Sequence, residues 1–458
     1  MPLPASILQM LETNNIHYQL RDHLPKQPVS TAPTPGVIVK SLLLKDSKGT
    51  VQVLLPWNYI LDLDAISHEF GRNLKAIDRR ELLATLEHAG LTAVPAIPQW
   101  EQHTTLVDNA LLEYTTLWLE TGDHEQMLEV TRDDFCAMIK AASIGRIGNQ
   151  APELPTTSER DKQQITASVQ RFTQLRIKQR LEDTLELPPL PDTARRIIKL
   201  RADPEADISD LTDIVELDPS LAAQVVSWAA SPYYSAPGKI KSVHDAIVRV
   251  LGFDMVLNLA LGLALGKTMS TSVMSIKQVE DYWRHAVAVA ATVEGLVTSI
   301  PREHRPAFGM SYLSGLLSNF GHLVLAEVFP PYYTNISRHL DANPHVQAYS
   351  IEQHIVGVSS CQIASWLLET WSMPNEVVTA LRHQHNPNFQ GEHAEYAHLI
   401  YIAEQLLARH GMSNRAPAPI PQKLYDSLHI DPETAEATVS NVLESSEELN
   451  GIAAKMTG

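Results

Sequence analysis

The chain has 458 residues, of which 44% are hydrophobic, and its 36 basic and 53 acidic side chains give a net charge of −17. This length is sufficient for two or three domains that each bury a core of their own. The negative field repels phosphate backbones, so broad nucleic-acid binding is disfavoured and no DNA partner is expected.

Cysteine use and hydropathy indicate a soluble protein of a reducing compartment. Cys136 and Cys361 lie far apart and match no zinc or redox spacing. The most apolar stretch, residues 251–269, is interrupted by Asp254 and Lys267 and is too polar for a membrane span. The first residues lack the basic and apolar regions of an export signal. We therefore expect a cytoplasmic location and no membrane partner.

The first 150 residues have the pattern of a mixed α/β domain. Apolar or β-branched runs at Val37–Leu44 and Val51–Leu55 are separated by the turn composition of residues 46–49, which predicts a hairpin. Further strands are predicted at Thr104–Val107 and Thr115–Leu119, and helical patterns open near Asp62 and Arg79.

A linker and a connecting helix are predicted over residues 151–186. Residues 151–158 are polar and contain proline, and a charged helix is expected at roughly 159–185. Its apolar positions recur at helical spacing, so it should pack on one of its neighbours. They are Ile165, Val169, Phe172, Leu175 and Ile177.

From residue 187 onward the strand signals stop and helical periodicity takes over. Asp218-Pro219 supplies an N-cap followed by a first-turn proline, a typical helix start. We predict an all-α domain over 187–410 and a helical extension over 411–458, with an amphipathic stretch from Pro432 to Ala454.

Several motifs of the helical part resemble the HDOD domain family in family order. They are Leu187–Pro191, Val215–Leu221, Ser242–Ile247, Gly315–Leu317, Trp371–Pro374 and His385–Pro387. The resemblance implies an HD-like helical bundle related to the HD-type phosphohydrolases. It also implies a signalling or regulatory role through protein partners, because most such domains have no demonstrated catalysis.

The metal ligands of the HD hydrolases are largely replaced here. Carried over by resemblance, their positions fall on His285, Ser318, Asn319, Ser360, Gln384 and His385. A serine hydroxyl stays protonated near neutral pH, and an asparagine amide carries no charge to offset a cation. We expect no metal and no cofactor, so a metal-dependent phosphohydrolase is the weaker alternative.

The first 150 residues resemble the YbaK-like domains associated with aminoacyl-tRNA synthetases, which hydrolyse mischarged tRNA. The matching pieces are Ile16–Leu20, Val39–Asp46, Leu106–Asp108 and Thr131–Phe135. The resemblance assigns the principal role to Lys40, whose ammonium would hold the ester carbonyl and offset charge that develops on oxygen. Strand alternation places Lys40, Leu42 and Leu44 on one face, so we expect the amine to line the pocket of this domain.

Two departures from the YbaK pattern favour a binding domain over a working deacylase. Prolines at 25, 28, 33 and 35 leave no room for the helix that normally covers the pocket. The glycine-rich Gly-x-x-Pro turn is replaced by Thr92–Pro95, whose added Cβ atoms would crowd a ligand.

The sequence thus predicts a bacterial regulatory protein with a YbaK-like α/β domain, a connector and an HDOD domain. The amino-terminal domain is a candidate sensor of aminoacyl-tRNA or a related ligand. The alternative is an aminoacyl-tRNA deacylase that uses Lys40.

Overall fold

The structure is a computed structural model that describes residues 5–13, 15–21, 36–123, 126–154, 160–177, 190–235, 238–269, 273–412, 417–454 and 456. The chain divides into two compact units. The first comprises Met1–Glu153 together with Asn335–Ile351, and the second comprises Leu154–Thr334 and Glu352–Gly458. The prolines that were expected to exclude a lid helix lie outside the described residues.

A mixed β-sheet forms the centre of the first unit, with spatial order β1-β8-β7-β2-β3-β6-β9 and β5 paired to β2. A short β4–β10 ladder lies beside it. The strands are β1 (Tyr18–Arg21), β2 (Gly36–Asp46), β3 (Gly49–Pro56), β4 (Tyr59–Leu61), β5 (Lys75–Ala76), β6 (Thr104–Asp108), β7 (Thr116–Glu120), β8 (Met127–Thr131), β9 (Ser143–Gly145) and β10 (Gly148–Gln150).

The predicted hairpin is confirmed. Strands β2 and β3 pair antiparallel from Val39↔Pro56 to Asp46↔Gly49, and Gly49 has the positive φ of 119° that its turn requires. Strand β2 also pairs parallel with β7, and β3 pairs parallel with β6. The two hairpin strands therefore lie in the middle of the sheet, which explains why their side chains are almost continuously apolar.

Four helices of the first unit accompany the sheet, and both of its faces carry apolar clusters. Asp62 caps α2 by accepting hydrogen bonds from two backbone amides, as expected of an aspartate before a helical pattern. These helices are α1 (Ala5–Thr13), α2 (Leu63–Phe70), α3 (Arg79–Ala89) and α4 (Arg132–Met138).

The described part of the second unit is helical. Asp218 caps α8 with a proline in its first turn, as predicted. The helices are α5 (Asp161–Ile177), α6 (Asp192–Arg201), α7 (Ile208–Glu216), α8 (Pro219–Ala229), α9 (Val243–Ala246), α10 (Phe253–Thr268), α11 (Ile276–Ser299), α12 (Phe308–Leu316), α13 (Phe320–Val328), α16 (Ser360–Thr370), α17 (Asn375–His383), α18 (Ala394–Arg409), α19 (Gln422–Leu428), α20 (Pro432–Glu444) and α21 (Ser446–Ala454).

Two helices belong partly to each unit. Helix α14 (Pro330–Ala342) begins in the second unit and ends in the first, and α15 (Ala348–Val356) begins in the first and ends in the second. The first unit thus contains Asn335–Ile351, a segment that was predicted to belong to the all-α domain at residues 187–410. Among the described residues, no helix combines the length and apolar character needed to cross a membrane.

Candidate functional sites

Lys40 lies in β2 directly opposite Leu55 of β3. The parallel register of Val39 with Leu119 brings Lys40 beside Glu120, the last residue of β7. Lys40 Nζ donates a hydrogen bond to the Glu120 carboxylate, and the two side chains are only 29% and 20% exposed. The ammonium that the YbaK resemblance singles out therefore already has a partly buried anionic partner.

The two leucines predicted to share a face with Lys40 lie in one apolar core. Leu42 and Leu44 pack in the same cluster as Leu55 of the neighbouring strand. Lys40 lies on the same face of β2, partly exposed and paired with Glu120. That its amine lines a ligand pocket stays a prediction.

The turn that replaces the family's Gly-x-x-Pro motif lies at the same end of β7. The backbone amides of Thr92 and Ala93 donate to the Gly122 carbonyl at 3.0 and 3.1 Å. The Ala96 amide donates to the Glu120 carbonyl at 2.7 Å. The fold thus brings together the two features on which the resemblance depends, Lys40 and the turn.

A buried glutamine that the sequence analysis did not single out holds this turn. Gln52 is fully buried, and its Nε2 contacts the carbonyls of Pro95 and Ile97 at 3.0 and 2.9 Å. Its Oε1 accepts a hydrogen bond from the Thr105 hydroxyl. Because a buried amide needs partners for both ends, Gln52 fixes the turn against the sheet. The sequence signal for such a residue was a single glutamine within the otherwise apolar run of strand β3.

In the second unit, several residues at the positions that the resemblance aligns with HD metal ligands form hydrogen bonds or side-chain pairs within the protein. Gln384 Nε2 donates to the backbone carbonyl of Ser318 at 3.0 Å. His285 Nε2 lies 2.9 and 3.0 Å from the two carboxylate oxygens of Glu404, a partner that sequence reasoning missed.

At two further positions, Asn319 and Ser360, the structure shows backbone hydrogen bonds. Asn319 precedes the first residue of α13, and its carbonyl accepts a hydrogen bond from the His322 amide. The Ser360 amide donates to the carboxylate of Glu352 at 2.7 Å, and that carboxylate also lies 3.3 Å from His322 Nδ1. Glu352 is fully buried and accepts the amide of the first residue of α16, whose N-cap is Ser359.

These residues do not fit the metal centre of an HD hydrolase. The position that the resemblance aligns with a ligating carboxylate carries the neutral Asn319. The side-chain amide of Gln384 donates a hydrogen bond to the Ser318 backbone carbonyl. Among the described residues, no group of three or more His, Cys, Asp or Glu side chains could hold a metal ion. A cavity of about 490 Å³ elsewhere in the second unit is lined by other residues, including Pro191, Arg195 and Lys267.

Comparison with known proteins agrees with the presence of an amino-terminal α/β domain and a helical domain. The sequence pattern of the HDOD domain matches residues 187–387, and that of the aminoacyl-tRNA editing domain matches residues 30–137. The chain is 39% identical to a candidate signal transduction protein from Marinobacter aquaeolei VT8, with all of both chains covered and a TM-score of 0.87.

Two further relatives cover only part of the chain. An HDOD domain protein of unknown function from Geobacter sulfurreducens is 20% identical, covers 63% of this chain and 97% of its own, and has a TM-score of 0.50. An uncharacterized protein of Treponema pallidum (strain Nichols) is 22% identical over 272 residues, 59% of this chain. The match spans about half, 51%, of that protein's length.

The fold and the two sites define a fusion of an editing-type α/β domain with an HD-like helical domain. The chain belongs to the family of HDOD proteins that carry an amino-terminal aminoacyl-tRNA editing domain.

Proposed function

We propose that this protein is a non-catalytic regulator whose HDOD domain acts through contacts with protein partners in a signalling pathway. The observation that carries this proposal is the hydrogen bond from the Gln384 side-chain amide to the Ser318 backbone carbonyl, which joins two of the positions that the resemblance aligns with metal ligands. Neither the amide of Gln384 nor the hydroxyl of Ser318 supplies the negative charge that would offset a divalent cation. The name of the Marinobacter relative, which refers to signal transduction, supports the same role.

The amino-terminal domain is, in this proposal, the sensor of an aminoacyl-tRNA or a related aminoacyl ligand. Lys40 and the Thr92–Pro95 turn lie at one end of β7, where the editing-domain resemblance places the site. Lys40 is the group that would recognise an ester carbonyl or a carboxylate. We also propose a cytoplasmic, bacterial setting, because both cysteines are free and no pairing is available to them.

The alternative function is an aminoacyl-tRNA deacylase that uses Lys40. For that role the ammonium must be free to stabilise the developing oxyanion, whereas Glu120 already neutralises it. The ion pair therefore favours binding over hydrolysis, because an ammonium that is already neutralised can still donate a hydrogen bond to an ester carbonyl but stabilises a developing oxyanion less.

The test separates the two functions by measuring binding and hydrolysis on the same material. A panel of aminoacyl-tRNAs is incubated with the full-length protein and with Lys40→Met, which keeps the aliphatic stem. We expect wild type to retain at least one aminoacyl-tRNA without accelerating its deacylation, and Lys40→Met to lose that retention. Lys40-dependent deacylation would establish the alternative, and no Lys40-dependent binding would overturn the sensor role.

A matched test addresses the helical domain. Hydrolysis of bis(p-nitrophenyl) phosphate is measured with added Mn²⁺, Mg²⁺ or Zn²⁺, because a functional HD centre would use such an ion. We expect no metal-dependent turnover. Turnover that disappears in Gln384→Ala or His285→Ala would contradict the regulatory proposal.

A further inference from the structure

The first unit is completed by a segment from the distant part of the chain, which we call the return segment, residues 342–345. Ala342 is a member of the apolar cluster that also contains Leu42, Leu44 and Leu61. Leu42 and Leu44 are the residues that share the Lys40 face of β2. The return segment therefore packs on the same face of the sheet that carries the candidate ligand-binding lysine.

Asn343 fastens the return segment to strand β4. Its Oδ1 accepts a hydrogen bond from the Leu61 amide at 2.6 Å, and its Nδ2 donates to the Leu61 carbonyl at 3.1 Å. Nδ2 also donates to the His339 carbonyl at 2.9 Å, and the side chain is fully buried. A side-chain amide that satisfies both polar groups of one strand residue acts in place of a neighbouring strand.

His345 lies further along the return segment, close to Lys40. Its Nε2 contacts the Tyr59 carbonyl at 2.9 Å, so this nitrogen carries the proton. Burial, with a smaller contribution from the charge of Lys40, lowers the pKa of His345 to about 4, although the hydrogen bond with the Tyr59 carbonyl opposes the shift. Nδ1 is buried and has no hydrogen-bond partner among the described residues. A neutral imidazole with an unused acceptor is thus held near the lysine amine.

We propose that the return segment is a built-in cover of the Lys40 site, which a ligand must displace or repack in order to reach the amine. The contacts of Asn343 and His345 hold the cover in place. The unsatisfied His345 Nδ1 is its weak point, because an unpaired buried acceptor costs stability. This inference rests on the proposed ligand site at Lys40.

Helix α15 follows the return segment and is shared by the two units. Helix α15 leaves the return segment and carries Ser350, whose hydroxyl donates to the Pro152 carbonyl at 2.7 Å within the first unit. Two residues later the same helix carries Glu352, whose carboxylate accepts a hydrogen bond from the amide of Ser360, the first residue of α16.

The experiment measures the accessibility of the Lys40 amine and needs no ligand. The full-length protein is treated briefly with sulfosuccinimidyl acetate, and acetylation is quantified for each lysine by peptide mass spectrometry. Lys45 is the internal reference, because it lies on the same strand, is 47% exposed and pairs with Glu81. Hydrogen exchange of residues 59–61 reports separately whether the return segment has been released.

In the variant Asn343→Ala/His345→Ala we expect the labelling of Lys40 relative to Lys45 to rise roughly fivefold or more, together with faster exchange at residues 59–61. Glu120→Gln is the matched control, which weakens the lysine's ion pair without touching the return segment. It should raise Lys40 labelling and leave the exchange at residues 59–61 unchanged.

Faster exchange at residues 59–61 with unchanged Lys40 labelling would overturn the proposal, because the segment would then be released without uncovering the amine. If the double variant unfolds, as shown by faster labelling of Lys45 as well, His345→Ala alone is used, since it keeps the Asn343 contacts. Unchanged Lys40 labelling in that folded variant would also overturn the cover. Absence of aminoacyl-tRNA binding would affect the proposed function only.

Discussion

Gln384 donates a hydrogen bond from its side-chain amide to the backbone carbonyl of Ser318, across 66 residues of sequence. Both are buried, and both lie at positions that the HDOD resemblance aligns with metal ligands of the HD hydrolases. The same amide also contacts the Leu381 carbonyl at 3.1 Å. These two hydrogen bonds join the Ser318 region to the end of α17 through neutral groups.

The first prediction concerns metal content. Protein purified without chelator and dialysed should contain only substoichiometric iron, manganese or zinc, because the former ligand positions offer an amide, a hydroxyl and a histidine already paired with Glu404. Elemental analysis by mass spectrometry measures it. One or two tightly held ions per chain would contradict the prediction, provided that His285→Ala removes them.

The second prediction concerns the connecting helix. Asp161, the first residue of α5, forms a buried ion pair with Arg382 of α17, and the same carboxylate accepts a hydrogen bond from Gln362 at 2.8 Å. Arg382→Gln should lower the stability of the second unit by about 3–5 kcal/mol, because it leaves a buried carboxylate without its charge partner. Denaturant unfolding measures the loss.

The double variant Asp161→Asn/Arg382→Gln serves as the control for that loss. It removes both charges, so it should be more stable than Arg382→Gln alone. Equal free energies of unfolding for the single and double variants would mean that the unpaired charge of Asp161 does not cause the loss of stability. In limited proteolysis, the predicted cleavage at residues 151–158 should leave α5 on the carboxy-terminal fragment in wild type, and α5 should be digested faster in Arg382→Gln.

Local patterns predicted much of the fold. The β2–β3 hairpin and the cap of α8 by Asp218 follow from turn and cap residues next to each other in sequence. The connecting helix was expected over 159–185, and the structure has Asp161–Ile177, with Ile165 buried. The side chains of Phe172, Leu175 and Ile177 lie outside what the structure describes.

The missed features depend on pairs that are distant in sequence. Asn343 contacts Leu61 across 282 residues, and Glu404 contacts His285 across 119 residues. No periodicity or turn rule connects such pairs, because each residue has an ordinary local context. Glu120 is an intermediate case. Strand alternation places it on the Lys40 face, but only the parallel β2–β7 register brings it opposite the lysine.

The third prediction uses the titration of His345. Its folded-state pKa of about 4 lies below the usual histidine value of 6.5, so below pH 6.5 the unfolded chain binds a proton that the folded chain excludes. The stability of the first unit is therefore complete above pH 6.5 and falls as the pH drops toward 4, by about 1–3 kcal/mol from this group. His345→Gln keeps a donor for the Tyr59 carbonyl and removes the titration.

Hydrogen exchange of the β2 and β3 amides, recorded from pH 7 to 4 and corrected for intrinsic rates, measures this effect within the first unit. We expect His345→Gln to lose less protection than wild type over this range. His383 of the second unit also has a pKa lowered to about 4 by burial, so global unfolding would mix the two contributions. Parallel pH curves for wild type and His345→Gln would contradict the assignment.

The fourth prediction concerns a partly buried acid in the second unit. Glu294 of α11 accepts a hydrogen bond from the Tyr234 hydroxyl at 3.2 Å, and that hydroxyl in turn accepts one from Trp228 Nε1 at 3.1 Å. Burial raises the pKa of Glu294 to about 7, although the Tyr234 hydrogen bond opposes the shift. The carboxyl group is therefore about half protonated near neutral pH.

The sign of the resulting pH dependence is opposite to that of an ordinary carboxylate. Because the folded state of Glu294 binds its proton more tightly than the unfolded state, this contribution is fully present below about pH 4.5 and is lost as the pH rises through 7. Glu294→Gln, which is permanently neutral and nearly isosteric, should exceed wild type in stability by about 1–3 kcal/mol at pH 8 and by little at pH 5. Urea unfolding at the two pH values measures the difference.

Tyr234→Phe is the control for the loss of the hydrogen bond, and it should lower the free energy of unfolding at both pH values. If Glu294→Gln gave the same stability change at pH 5 as at pH 8, the group would not titrate between them, and its pKa would lie outside this window.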